Sequence, residues 1–131
     1  MHIGLLEDDI AIQEMLLLVL QDEGHTVRKY LNADECFGDL GASSDMGNLP
    51  IPIDLLIVDW RLSGSISGTE VIQQLRDNPR FHRLPIILTT AATFNDPAAL
   101  QHLHVSLLEK PFSVDEMLAL IKLLASPLSS P

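Results

Sequence analysis

The chain has 131 residues, of which 47% are hydrophobic, so it can bury one core and fits a single domain without internal repeats. Eighteen acidic residues against eight basic ones give a formal net charge of -10, which argues against nucleic-acid binding through this domain's own surface. One cysteine excludes an internal disulfide framework, and the apolar stretch Met15 to Leu20 is far shorter than the roughly 20 residues of a membrane span. Without a charged-then-apolar leader, the expected location is the cytoplasm, away from membranes.

The first predicted elements are a strand over His2–Leu6, which is a short apolar run, and a helix over Ile10–Glu23, which Gly24 ends. Apolar residues recur in the helix at the spacing of one helical face. This face should pack against the sheet. The residues that we expect along it are Ile12, Met15, Leu16 and Val19.

A second strand is predicted over Thr26–Tyr30, and a short second helix follows it. Asn32 offers a helix cap, with Glu35 three residues later in the pattern of a capping pair. From about Gly38 to Pro52 the chain is rich in Gly, Ser, Asp, Asn and Pro. We predict a long loop within the domain there, because too little sequence lies on either side to make two cores.

The third predicted strand, Asp54–Val58, does not alternate between apolar and polar residues, so both of its faces should be buried. A third helix follows, with Ser67 and Glu70 as its capping pair and Asn78-Pro79 as its end.

The last part of the chain predicts a strand over Ile86–Thr90, a short helix over Asp96–Leu103 and a strand over Val105–Leu108. Ser113 and Glu116 then form the capping pair of a final helix. Five strands alternating with five helices predict an α/β fold with a doubly wound parallel sheet. The inward residues expected on the final helix are Val114, Met117, Leu118, Ile121 and Leu124.

Chemistry in such sheets lies beyond the carboxyl ends of the strands. The residues predicted there are Glu7, Asp8, Asp59, Thr90 and Lys110. The carboxylates suit Mg²⁺, and Asp59 can act as a nucleophile once the metal and the lysine offset charge repulsion. The threonine hydroxyl can bond a phosphoryl oxygen. The set therefore predicts a Mg²⁺-dependent phosphoryl-transfer site.

Taken together, these residues make the chain resemble the receiver (phosphoacceptor) domain of two-component response regulators, from about Ile3 to Leu124. The resemblance implies a flavodoxin-like sheet with strand order 2-1-3-4-5. On this basis we predict that residues 1–125 form the domain and that residues 126–131 are a tail or the start of a linker. The motifs that carry it are Leu6-Glu7-Asp8-Asp9, Ile57-Val58-Asp59, Thr90-Ala91 and Lys110-Pro111-Phe112.

What the resemblance implies is a signalling switch and not an enzyme, although the domain promotes its own phosphorylation and dephosphorylation. Asp59 would accept a phosphoryl group from a histidine kinase or a histidine phosphotransfer protein and change the partner-binding surface; a homodimer is compatible with this. Asp8 and Asp59 would ligate Mg²⁺ directly with the main-chain carbonyl of Arg61, and Glu7 would act through water. The family also suggests a cis Lys110-Pro111 bond.

Three departures from the family pattern bear on how phosphorylation is read out. The loop after Asp59 lacks the usual proline and is one residue longer before Gly68. Leu107 stands three residues before Lys110, where the family commonly carries an aromatic switch residue; leucine has no polar tip to exchange between buried and exposed states. The familiar glycine ahead of the fifth strand is also missing.

Three other functions compete with this one. A phosphatase of the haloacid dehalogenase type needs a second acid two residues after its aspartate, and Arg61 stands there. A flavin-binding domain needs a phosphate loop rich in Ser, Thr and Gly after the first strand, which is absent. A receiver-like interaction module that works without phosphorylation stays open because of Leu107. Met1 directly before the first strand leads us to expect nothing upstream.

Overall fold

The computed structural model describes residues 1–40, 51–62, 67–91 and 104–125. Five strands form one parallel sheet in the order β2-β1-β3-β4-β5, which confirms the predicted doubly wound, flavodoxin-like fold. The two central strands are apolar almost throughout because helices cover both faces of the sheet. The strands are β1 (His2–Leu6), β2 (Thr26–Tyr30), β3 (Leu55–Asp59), β4 (Ile86–Ala91) and β5 (Ser106–Lys110).

The described residues contain four α-helices and one 3-10 turn, Pro79–Phe81, against five helices predicted. The predicted helix Asp96–Leu103 lies outside the described residues. So do most of the predicted Gly38–Pro52 loop and the 126–131 tail. The helices are α1 (Ile10–Asp22), α2 (Ala33–Leu40), α3 (Gly68–Arg76) and α4 (Val114–Ala125).

Each predicted capping pair is found at the start of its helix. In all three, the side chain of the cap accepts a hydrogen bond from the backbone N–H three residues later, which satisfies one of the free donors of the first turn. These bonds fix where α2, α3 and α4 begin. They join Asn32 Oδ1 to Glu35 N at 2.9 Å, Ser67 Oγ to Glu70 N at 3.3 Å and Ser113 Oγ to Glu116 N at 3.0 Å.

Two apolar clusters hold the layers together, one on each face of the sheet. On one face, α1 and α4 pack on β1 and β3 through residues such as Leu16, Leu20 and Met117. On the other face, α2, α3 and the 3-10 turn pack through residues that include Leu75 and the fully buried Phe81. Within the described residues, the longest and most apolar helices fall short of what crossing a membrane requires.

The structure corrects several details of the sequence interpretation. Met15, predicted to face inward, is 47% exposed, and the final-helix residue Val114 is 40% exposed. Helix α2 continues through Leu40, inside the segment predicted as loop. β3 and β5 each extend past their predicted ends, to Asp59 and Lys110, because both residues still pair with β4.

Candidate functional site

The parallel register brings the ends of β1 and β3 to the same edge of the sheet. Leu6 pairs with Val58, so the acidic residues that follow them in the chain lie side by side. Glu7 is 3% exposed and Asp59 is 5% exposed. One carboxylate oxygen from each of Glu7, Asp8 and Asp59 lies within 4.8 Å of the others. Three predicted site residues therefore meet in one acidic cluster.

Lys110, at the end of β5, provides the positive charge beside this cluster. Its Nζ lies 3.2 Å from Asp59 Oδ1 and 3.9 Å from Glu7 Oε2. The Lys110-Pro111 peptide bond is cis, as the resemblance implied. β5, at the edge of the sheet, thus places one ammonium group beside carboxylates at the ends of the central strands β1 and β3. One lysine against three acids leaves the cluster with excess negative charge.

The surroundings of Glu7 raise its pKa from 4.5 to about 7. Burial is the main cause and the Asp59 carboxylate adds to it, whereas Lys110 and the Asp9 N–H oppose the rise. Carboxylate oxygens are the ligands that Mg²⁺ and Ca²⁺ prefer, and a divalent cation would offset both the burial of Glu7 and its repulsion by Asp59. The donor set therefore fits a hard divalent cation.

Asp9, the third acid of the run, has a structural role. Its Oδ1 accepts hydrogen bonds from the backbone N–H groups of Ala11 at 3.0 Å and Ile12 at 3.2 Å, which caps α1. Its own N–H donates to Glu7 Oε1 at 3.2 Å. The side chain is exposed. Asp9 therefore fixes the start of α1 and orients Glu7 through its backbone.

Arg61 enters the site through its backbone. Its N–H donates to Asp59 Oδ1 at 3.3 Å, the same oxygen that Lys110 approaches. Arg61 and the half-buried Trp60 line an open cleft of about 690 Å³ above the acids. The remaining described residues that line this cleft are Glu7, Asp8, Asp9, Ile12, Asp59, Leu62 and Lys110.

Thr90 is the one predicted site residue that does not line this cleft. It is 1% exposed, at the end of β4, and pairs with Glu109 of β5. The register partner of Asp59 is Thr89, whose hydroxyl lies 3.5 Å from the carbonyl oxygen of Val58 and donates to it. Thr90 is thus buried, one residue further along β4 than the register partner of Asp59.

Two further residues shape the site, and the sequence analysis does not predict either of them as a site residue. Gly68 N donates to the Trp60 carbonyl at 3.0 Å, and a Cβ at Gly68 would clash with the Asp59 carbonyl oxygen. Gln13 is buried in α1, and its side-chain amide contacts the backbone at the end of β1. The signal for Gln13 was a polar residue at helical spacing from the buried Leu16 and Leu20.

Comparisons with known proteins agree with this geometry. The family model of the response regulator receiver domain matches residues 3–122. The chain is 36% identical over 123 residues to the phosphate regulon transcriptional regulatory protein PhoB of Rhizobium meliloti, which covers 92% of this chain and 50% of that protein. It is 29% identical over 122 residues to the DNA-binding transcriptional regulator NtrC of Salmonella typhimurium, covering 92% of this chain and 24% of that protein. The chain spans half or less of the length of these relatives.

Solved structures show the same fold. A response regulator receiver protein from Pseudomonas putida superimposes with a TM-score of 0.78 at 26% identity, covering 92% of this chain and 94% of that one. A receiver domain of a signal transduction histidine kinase from Syntrophus aciditrophicus gives a TM-score of 0.82 at 22% identity, covering 99% and 93% of the two chains. The match to the family model over nearly the whole chain, on this fold, means that the chain belongs to the response regulator receiver domain family of two-component signalling systems.

Proposed function

We propose that this domain is a phosphorylation-dependent switch in which Asp59 accepts a phosphoryl group in a Mg²⁺-dependent reaction. The observation that carries the proposal is the position of the Asp59 carboxylate, 3.2 Å from Lys110 Nζ and within 4.8 Å of the two acids at the end of β1. A nearly buried carboxylate between a cation and a cation-binding acid cluster suits a nucleophile that must receive an anionic group.

The transfer forms one bond and breaks one. An oxygen of Asp59 attacks the phosphorus of the donor, and the bond from phosphorus to the donor atom breaks with its electron pair staying on the donor. The donor atom is a histidine ring nitrogen of a kinase or phosphotransfer protein, or the acetate oxygen of acetyl phosphate. The product is an acyl phosphate, whose added negative charge Lys110 offsets through its ammonium group.

Asp8, Asp59 and the main-chain carbonyl of Arg61 are the groups that we assign to hold Mg²⁺, with Glu7 acting through water. Bound Mg²⁺ supplies charge neutralisation for the phosphoryl oxygens. The Arg61 N–H keeps Asp59 Oδ1 fixed at 3.3 Å, which orients the nucleophile before the donor arrives. We assign the buried Thr90 hydroxyl a bond to a phosphoryl oxygen after transfer, which requires local rearrangement at the end of β4.

The protein partner that we propose is a histidine kinase or a histidine phosphotransfer protein. Such a donor must approach Asp59 over the carboxyl edge of the sheet. Two apolar side chains stand at that edge where helices begin: Ile10 of α1 is 58% exposed and Val114 of α4 is 40% exposed. They offer apolar contact area near an otherwise acidic cleft. With a net charge of -10, we propose no nucleic-acid contact by this domain. Homodimer formation is compatible with the proposal and is not required by it.

The boundaries follow the same proposal. Residues 1–125 form the receiver domain, and residues 126–131 are a tail or the start of a linker. The whole-protein activities of the relatives, of whose length the chain spans half or less, are not part of this proposal.

Labelling with acetyl phosphate tests the proposal. The wild-type protein should gain the mass of one phosphoryl group, and Asp59→Asn should gain none while its circular dichroism stays unchanged. Asp9→Asn is the matched control, because Asn keeps the helix cap and Asp9 is exposed. Retained labelling of Asp59→Asn at another residue would refute the assignment of the acceptor.

One observation favours a second candidate, an interaction module that works without phosphorylation. Leu107, at the position where the family commonly has an aromatic switch residue, is 37% exposed on β5. A leucine cannot change hydrogen bonding with phosphorylation. An amide NMR spectrum recorded in acetyl phosphate distinguishes the two candidates. A switch takes up the phosphoryl group and shifts the resonances of β4 and β5, whereas a constitutive module takes up no label under the same conditions.

A further inference from the structure

Gln13 is a polar side chain on the buried face of an otherwise apolar stripe. It shares this face of α1 with Leu16 and Leu20, and it is 4% exposed. Its Nε2 donates two hydrogen bonds, to the carbonyl oxygen of Glu7 at 3.2 Å and to that of Tyr30 at 3.1 Å. One amide group therefore joins α1 to the carboxyl ends of both β1 and β2.

The Glu7 carbonyl belongs to the peptide unit that links Glu7 to Asp8. Fixing this oxygen fixes the plane of that peptide, and the plane sets the directions in which the two acid side chains leave the backbone. On the other side of the residue, Glu7 N donates to the Tyr30 carbonyl at 3.1 Å. The Tyr30 carbonyl therefore holds the N–H of Glu7, and the Gln13 amide holds the carbonyl of Glu7.

An apolar residue would continue the stripe that Leu16 and Leu20 define, and it would leave two buried carbonyl oxygens without this donor. The amide is suited to the position because a primary amide has two N–H bonds on one nitrogen, enough for two acceptors. The same function needs the reach of a glutamine. An asparagine is one methylene shorter and would not span the distance from α1 to both strands.

We infer that Gln13 is a positioning residue for the acidic cluster: it orients the Glu7–Asp8 peptide so that both carboxylates point at one cation. The inference rests on the proposed Mg²⁺-dependent function, which it deepens. Gln13 lies outside the cleft-lining residues and acts through the Glu7 carbonyl. Groups that hold metal ligands in place commonly change metal affinity by tenfold or more when removed.

The first test needs no metal. Gln13→Met has nearly the same volume and lacks the donor, and Gln13→Asn keeps an amide that is too short, so one of the two remains usable if the other fails to fold. In the metal-free protein, amide resonances of Asp8 and Asp9 should shift and their hydrogen exchange should accelerate. Leu20→Ala, a cavity in the same helix, and Gln73→Met, an exposed glutamine of α3, are the controls that should leave these amides unchanged. Unchanged amides in both Gln13 variants would overturn the inference.

The second test is a Mg²⁺ titration followed by Trp60 fluorescence, at a temperature where every variant is folded. Both Gln13 variants should bind Mg²⁺ about tenfold more weakly than the wild type. Leu20→Ala should lose thermal stability and keep wild-type affinity. If the wild type binds Mg²⁺ and the Gln13 variants bind it equally well, Gln13 has only a structural role. If the wild type itself shows no binding, the proposed metal site fails, and the metal-free amide comparison still decides whether Gln13 orients the acids.

Discussion

The two edges of the sheet use charged side chains in opposite ways. At the carboxyl edge, Glu7, Asp8 and Asp59 face one another with one lysine between them. At the amino edge, charged side chains contact backbone groups instead. Arg76 donates to the carbonyl oxygens of Phe81 at 2.6 Å and His104 at 3.0 Å.

Other contacts at the amino edge follow the same rule. Arg80 donates to the Leu40 carbonyl, the last residue of α2, at 2.6 Å. Asp54 and His2 form a reciprocal pair, in which His2 N donates to Asp54 Oδ2 at 2.7 Å and Asp54 N donates to the His2 carbonyl at 2.6 Å. Each of these charged side chains forms a hydrogen bond with a backbone group near the end of a helix or strand, which stabilises the fold. The carboxyl edge instead buries Glu7 beside another carboxylate, and a divalent cation would offset this cost to the fold.

The largest expected effect is a pH dependence of the unfolding free energy that arises at the carboxyl edge. Because the folded-state pKa of Glu7 is about 7 and the unfolded value is 4.5, the folded state retains a proton that the unfolded state loses in this window. Stability therefore falls as pH rises from 4.5 to 7, by about 3 kcal/mol from this group. Urea denaturation of Glu7→Gln at several pH values should lack this fall and exceed wild-type stability above pH 7.

Glu14→Gln, on the exposed face of α1, is the control for this pH series. Its stability should differ from that of the wild type by a constant amount at every pH. Parallel stability curves for the wild type and Glu7→Gln between pH 4.5 and 7 would contradict the raised pKa of Glu7.

Gly68→Ala tests how closely the backbone around Asp59, the proposed acceptor, is packed. A Cβ there would clash with the Asp59 carbonyl oxygen and the Trp60 Cα, so the backbone beside Asp59 must move. We expect a loss of about 2 kcal/mol of unfolding free energy together with slower labelling by acetyl phosphate. In Gly38→Ala, where the Cβ meets nothing within 4 Å, α2 should become more stable by about 0.5 kcal/mol and labelling should stay normal.

Arg76→Met tests the amino edge on its own. The substitution removes a charged donor from two carbonyl oxygens and should cost about 2 kcal/mol in chemical denaturation. Labelling per folded molecule should equal that of the wild type, because Arg76 lies at the opposite edge from Asp59. Arg83→Met, at an exposed position nearby, should change stability by less than about 0.5 kcal/mol. A labelling defect in folded Arg76→Met would show that the two edges are coupled.

The smallest expected effect concerns His104, which takes the place of the glycine missing ahead of β5. Its φ is +53°, in the left-handed region that glycine adopts without penalty. His104→Gly should therefore raise the unfolding free energy by about 0.5 kcal/mol and leave labelling unchanged. Gly24→Ala, at φ +90°, is the inverse control and should lose about 1 kcal/mol. Stabilisation by both substitutions, or by neither, would contradict the backbone argument.

Much of the fold was predictable because the strand signals are strong. β1 and β2 have the predicted bounds, and the predicted sheet order was confirmed. Predictions failed where tertiary contacts override local pattern. β5 continues through the polar residues Glu109 and Lys110, since they pair with Thr90 and Ala91 of β4. Apolar periodicity in a sequence does not reveal such pairing.

The helix faces show the same limit. Met15 fits the apolar stripe of α1 by spacing and is exposed, whereas Gln13 is buried because two backbone carbonyls satisfy its amide. The acidic cluster was predictable from the strand ends on which its members stand. The absence of Thr90 from the residues that line the cleft was not predictable, because strand order alone does not fix which way a side chain at a strand end points.

The most direct test of the account is labelling of the wild-type protein by acetyl phosphate with and without Mg²⁺, followed by peptide mapping. The carboxyl edge is proposed to need a divalent cation before Asp59 can take up an anionic group. The account predicts one phosphoryl group on the peptide that contains Asp59 in Mg²⁺, and none in excess chelator. Equal labelling under both conditions, or labelling only on other peptides, would contradict it.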